Sequence, residues 1–71
     1  MNNTYKVVDE FVVQGVKVIA LDKKIAFDDL KKAGYNVKAN GKTYPYGLTH
    51  NEFWLIVKTD DTLLGENLIF V

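Results

Sequence analysis

Val37-Lys38-Ala39-Asn40-Gly41-Lys42-Thr43-Tyr44 is the stretch that decides the class of fold. Asn-Gly accepts positive φ at both central positions of a two-residue hairpin turn, so antiparallel strands are expected on either side of it. Pro45 follows. It cannot donate a ladder hydrogen bond, and is expected to end the return strand. The same arrangement recurs upstream. Residues 4–13 are rich in Val, with Tyr5 and Phe11, and read as a strand; Gln14-Gly15 is a turn; residues 16–21 return. A two-residue loop pairs Val13 with Val16 and Phe11 with Val18. One face then carries Tyr5, Val7, Phe11, Val13, Val16, Val18 and Ala20, and is the expected core face. The other carries Lys6, Val8, Glu10, Val12, Lys17, Ile19 and Leu21. Asp9 falls on the expected core face, so a bulge near Asp9-Glu10, or a strand end there, is needed to relieve the conflict.

Between the two hairpins, Ala26, Phe27, Leu30 and Ala33 follow helical spacing. Asp28 and Asp29 begin this segment and Lys31 and Lys32 end it, as the helix dipole prefers. Gly34 suits the left-handed cap, with Tyr35 packing back on Leu30. Two turns are not stable alone, so this helix is expected to dock on the sheet. Downstream, Thr49-His50-Asn51-Glu52 fits a capping box. Residues 53–58 are nevertheless apolar on both faces and rich in aromatic and β-branched side chains, which reads as a buried central strand preceded by at most one helical turn. Thr59 to Thr62 is a polar turn, Leu63 and Leu64 pack inward, Gly65-Glu66-Asn67 turns again, and Leu68-Ile69-Phe70-Val71 is a last strand. The order is β-β-α-β-β-β-β. The expected class is α+β, a small twisted antiparallel sheet with one short helix packed on it; a small β-barrel is the alternative.

Seventy-one residues, 48% hydrophobic and 25% charged, make one globular domain. A core of this size supplies only a few kcal/mol. Cys is absent, so neither a disulfide nor a zinc-thiolate site reinforces it. Nine Lys balance nine Asp and Glu, and Arg is absent. A basic stripe and guanidinium forks, the usual signs of nucleic-acid binding, are missing, which disfavours nucleic acid as a partner. Without Ser or Cys, nucleophilic catalysis is nearly excluded. The five Gly are too scattered for a phosphate loop. The expectation is a protein that is not an enzyme and needs no cofactor and no metal. No apolar run approaches the roughly 20 residues of a membrane span, and no signal core precedes the first strand, so a cytoplasmic location is expected. The Lys- and Asn-rich usage points to a low-GC bacterium or its phage.

Residues 44–54 hold the single Pro, His and Trp and two of the four Tyr. Adaptable polar groups beside rigid rings suit recognition, so Tyr44, Tyr46, His50, Asn51 and Glu52 are the candidate binding residues. His50 and Glu52 could supply half a metal site, but such a site wants three or four ligands; a loop His and a capping Glu is the preferred reading. Trp54 is assigned to the core. Leu68, Ile69, Phe70 and Val71 carry no charge. On a sheet edge they would offer backbone groups and side chains to a second copy, and they are the candidate self-association residues of a homodimer; in a central position they are core. The function read from these features is a small accessory module, of the kind phages and mobile elements encode, that binds an unidentified protein partner. The alternative is a small barrel that binds single-stranded nucleic acid through Tyr44, Tyr46 and His50.

Overall fold

A computed structural model describes residues 4–26, 30 and 36–71 of the chain. They form six strands: β1 (Tyr5–Val13), β2 (Val16–Leu21), β3 (Asn36–Ala39), β4 (Lys42–Leu48), β5 (Trp54–Val57) and β6 (Asn67–Phe70). The strands close into a barrel in the order β1-β2-β5-β4-β3-β6, with every neighbouring pair antiparallel. The expected α+β class is thereby corrected: the described elements are all strands, and the small β-barrel fits. Alternation with period two is the same in an open sheet and a closed one, so the sequence pattern could not show closure. Of the expected helix over 26–33, residues 27–29 and 31–33 lie outside the described residues, as do Gly34 and Tyr35. Leu30 packs against the core.

Both hairpin turns have the expected geometry. Gln14 and Gly15 have φ of 52° and 78°, and Asn40 and Gly41 have 52° and 76°. Val13 pairs with Val16 and Phe11 with Val18. Gly41 has no atom within 4 Å of where a Cβ would stand, so a side chain there meets only backbone strain. Gly41→Val is expected to cost roughly 1–3 kcal/mol. An unchanged melting temperature would contradict this turn.

Two devices bend the sheet into a barrel. The first is a bulge in β1. Val7 pairs with Leu21 but Asp9 with Ala20, so Val8 is the extra residue. Beyond it, inside and outside exchange. Tyr5 and Val7 are fully buried, yet on β2 it is Ile19 and Leu21 that enter the core. The face Phe11, Val13, Val16, Val18 and Ala20, expected to be core, lies outside. The second device is β4. Its residues 42–45 pair with β3 and its residues 46–48 with β5. Pro45 sits at this exchange of partners and pairs with Asn36 before β5 begins, so it passes through the strand instead of ending it. A position with no ladder partner on one flank tolerates the missing N–H.

The core comprises Tyr5, Val7, Ile19, Leu21, Ile25, Val37, Ala39, Tyr44, Leu55, Val57, Leu63, Leu68 and Phe70. Leu63 is buried but Leu64 is exposed, so only one of that pair packs inward. Strand β5 is central, between β2 and β4, as expected. Strand β6 is paired by both β1 and β3, and Leu68 and Phe70 are core. On the flank facing β1 the edge on which strand addition through Leu68, Ile69, Phe70 and Val71 depended is taken at Asn67 and Leu68, and on the other flank β3 pairs Leu68, Ile69 and Phe70.

One end of the barrel is closed by Tyr5. Its hydroxyl accepts the Ala26 N–H at 3.0 Å, its ring meets Phe70 edge-on at 5.4 Å, and the Lys23 ammonium stands 5.0 Å above it. The 22–25 segment is tied across this end by Asp22 N–H to the Lys6 carbonyl and Ile25 N–H to the Glu52 carbonyl, both at 3.0 Å.

Candidate functional site

The exterior of β1, β2 and β5 carries a second apolar cluster. Across the strands, Gly47, Ile56, Val18 and Phe11 form one row by register, and Trp54 and Ala20 belong to the next. Ala20 is small enough for rings from the two strands flanking β2 to meet over it. Phe11 and Trp54 touch edge-to-face with centroids 5.0 Å apart. Beneath them Val18 is only 6% exposed, although it points away from the barrel. Val13 and Val16 extend the face toward the hairpin turn and stay open to solvent, at 47% and 39% exposed.

A groove crosses this face. Val18, Trp54 and Ile56 lie beneath it, Val13, Gln14 and Val16 form one wall, and Thr49, His50 and Asn51 form the other. The second wall is held by local hydrogen bonds. The Asn51 N–H donates to Thr49 Oγ1 at 3.0 Å, the Phe53 N–H to Asn51 Oδ1 at 2.8 Å, and the Trp54 N–H to the Asn51 carbonyl at 3.1 Å. Thr49 and Asn51 thus shape an Asx-type turn instead of capping a helix. His50 is exposed beside them, with no ion pair among the described residues.

The expected binding residues divide. His50 and Asn51 reach the groove. Tyr44 is buried in the barrel, and Tyr46 packs edge-on against Phe70 at 5.1 Å. Neither forms an exposed platform. Glu52 pairs with Lys24 at 3.0 Å in an exposed contact and does not join His50 in a ligand set. Trp54, expected in the core, is half-buried on the outer face. The residues missed by sequence reading are Phe11, Val13, Val16, Val18 and Ile56. A signal was available in β5, where Trp54 and Ile56 alternate with Leu55 and Val57: a strand apolar on both faces cannot send all four side chains into one interior.

A polar cluster closes the other end of the barrel. Glu10 and Lys17 pair at 2.7 Å with only 12% and 13% of their side chains exposed. Glu10 Oε2 accepts the N–H groups of Leu63 and Leu64 at 3.2 and 3.1 Å. Lys17 also donates to the Asp61 carbonyl, and the Tyr44 hydroxyl donates to Asp61 Oδ2 at 2.9 Å. The Lys17 ammonium bonded to it, joined by the two backbone donors, lowers the Glu10 carboxyl below its ordinary range. The Tyr44 hydroxyl and Lys42 do the same for Asp61, while burial and the Asp61 carboxylate raise Tyr44. Each shift favours the group's resting protonation state, and the contacts tie Glu10, Lys17, Tyr44 and Asp61 into a plug at this end.

Among the described residues no three or more of His, Asp and Glu gather as metal ligands, and no helix is long and apolar enough to cross a membrane. No family model, curated protein or solved structure matches the chain.

Proposed function

We propose that this small barrel is a non-enzymatic protein-binding module whose contact surface is the outer face of β1, β2 and β5. The observation that carries the reading is the apolar cluster of Phe11, Val13, Val16, Val18, Trp54 and Ile56, which lies outside a barrel whose interior is already filled by other side chains. Scattered exposed apolar residues are ordinary; contiguous ones with rigid aromatic anchors suit a partner surface. His50, Asn51 and Gln14 along the groove supply the polar rim.

A closed small barrel is also compatible with single-stranded nucleic acid. That reading now rests on Phe11 and Trp54, since Tyr44 and Tyr46 face elsewhere. The cationic charge on this side is sparse: Lys58 borders the face near Ile56, while Lys17 turns inward to Glu10. Affinity capture from a host lysate, with wild type and Val16→Lys as baits, tests the proposal. A protein held by wild type and lost with Val16→Lys is expected. Equal capture by both baits would contradict the assigned face. Salt-sensitive quenching of Trp54 fluorescence by oligonucleotides would favour nucleic acid instead.

A further inference from the structure

We propose that two copies of the chain join edge to edge through β1, with Val12 of one beside Val12 of the other; this goes beyond the outer face assigned above and leaves that face open. Strand β1 runs nine residues, but its second flank is covered only at the start. Tyr5 and Lys6 pair with Leu68 and Asn67 of β6. The Val7 N–H then donates to the Glu66 carbonyl at 2.9 Å, and the Val7 carbonyl accepts the Gly65 N–H at 2.8 Å. Main-chain contact stops there. The Leu63 and Leu64 N–H groups turn to the Glu10 side chain instead. From Glu10 onward β1 has β2 on one flank and no strand on the other.

The hairpin register decides which groups face the open flank. Across a two-residue turn Val13 and Val16 exchange both backbone bonds, so Phe11 and Val13 aim theirs at β2. Glu10 and Val12 aim the opposite way, as does the Gln14 N–H, which is trans to the Val13 carbonyl. Asp9 Oδ1 holds the Glu10 N–H at 2.8 Å. The Glu10 carbonyl, Val12 N–H, Val12 carbonyl and Gln14 N–H are left without a partner among the described residues. Acceptor, donor, acceptor, donor read backwards is its own complement. A two-fold axis through Val12 therefore satisfies the whole set. Val12 bonds its copy in both directions, and each Glu10 carbonyl accepts the other copy's Gln14 N–H. An axis through Phe11 would instead need the Glu10 N–H that Asp9 holds.

The side chains fit the same register. Phe11 stands directly opposite Val13 of the other copy on the outer surface, and Val12 meets Val12 on the inner one, so every pair is apolar and no like charges oppose. Val12 and Val13 are 65% and 47% exposed, and residues 11–13 include none of the charges or prolines that usually guard an edge. The backbone array selects an extended strand, and a second copy supplies one in matching order.

Val12→Pro isolates the edge. The lost N–H makes no bond to β2, so proline is compatible with the barrel, while its ring occupies the open flank. Val12→Thr keeps the N–H and the β-branched shape. Sedimentation of wild type and both variants at high micromolar concentration, with circular dichroism melts, reads the outcome. Wild type and Val12→Thr are expected to dimerise and to melt higher at higher concentration. Val12→Pro should stay folded, with its dissociation constant raised about tenfold or more, since symmetry removes two bonds at once. Should the proline variant fail to fold, amide exchange of wild type decides. The Val12 and Gln14 N–H groups should exchange fast when dilute and slowly when concentrated, while Phe11 and Val13 stay protected in both. A wild type that sediments as a monomer overturns the dimer. So does a dimer unchanged by Val12→Pro, one that Val12→Thr abolishes as fully, or exchange at Val12 and Gln14 that is indifferent to concentration.

Discussion

Leu55→Ala is expected to leave the barrel close to its folding threshold. Leu55 is fully buried on β5, the strand between β2 and β4. Removing a buried Leu side chain to Cβ costs roughly 2–5 kcal/mol, through lost transfer free energy and the cavity left behind. A single core in a chain of this length supplies about 3–5 kcal/mol in total. A barrel also has little room to collapse around a cavity, because each strand is held by two neighbours. Urea unfolding followed by circular dichroism should show most of the cooperative transition lost or moved to very low denaturant. A midpoint near that of wild type would mean that Leu55 does not face the interior.

Glu10→Ala should rank next, at roughly 2–4 kcal/mol. The substitution leaves Lys17 largely shielded from water without its anion, and removes the acceptor of the Leu63 and Leu64 N–H groups. Leu63, which those bonds position, is part of the core. The same plug gives stability a defined pH dependence. Glu10 and Asp61 are lowered in the folded state, so their contribution is fully present above the ordinary carboxylate range, about pH 4, and is lost as pH falls through the lowered values. Tyr44 is raised, so its contribution holds below about pH 10 and is lost as pH climbs through the raised value. Melts across acid pH should show a steeper loss for wild type than for Glu10→Ala. Parallel acid profiles would show that the ion pair contributes no linkage.

These two residues also explain how much of the fold was legible. Strand number and both hairpin registers follow from Gly15 and Gly41 and from the apolar runs around them, because turn chemistry is local. The conflict at Asp9 correctly announced a bulge. What the bulge did to the following residues was not legible. Glu10 and Lys17 made their face look like the solvent face, yet they turn inward and neutralise one another at the barrel end. Ile19 and Leu21 lie on that same face and form the core with it. Phe11, Val13, Val16 and Val18 were thereby assigned to the interior. Closure was equally hidden, since it depends on β6 reaching both β1 and β3, a long-range pairing with no local mark. Of the residues chosen by type, His50 and Asn51 line the groove. Tyr44 and Tyr46 could not be placed from sequence, because a tyrosine beside a proline can serve a surface or a core equally well, and here β4 turns Tyr44 toward Asp61 and Tyr46 toward Phe70.

The central claim is that the apolar face of β1, β2 and β5 lies outside a complete core. Urea unfolding of Val16→Lys beside Leu55→Ala, at a concentration where all species are monomeric, tests it most directly. Val16 is 39% exposed and Leu55 is fully buried. The account predicts a Val16→Lys midpoint within the small range of ordinary surface changes, about 0.5 kcal/mol, beside a transition largely lost in Leu55→Ala. A Val16→Lys chain that unfolds while Leu55→Ala melts like wild type would contradict it, placing the face assigned to partners in the interior.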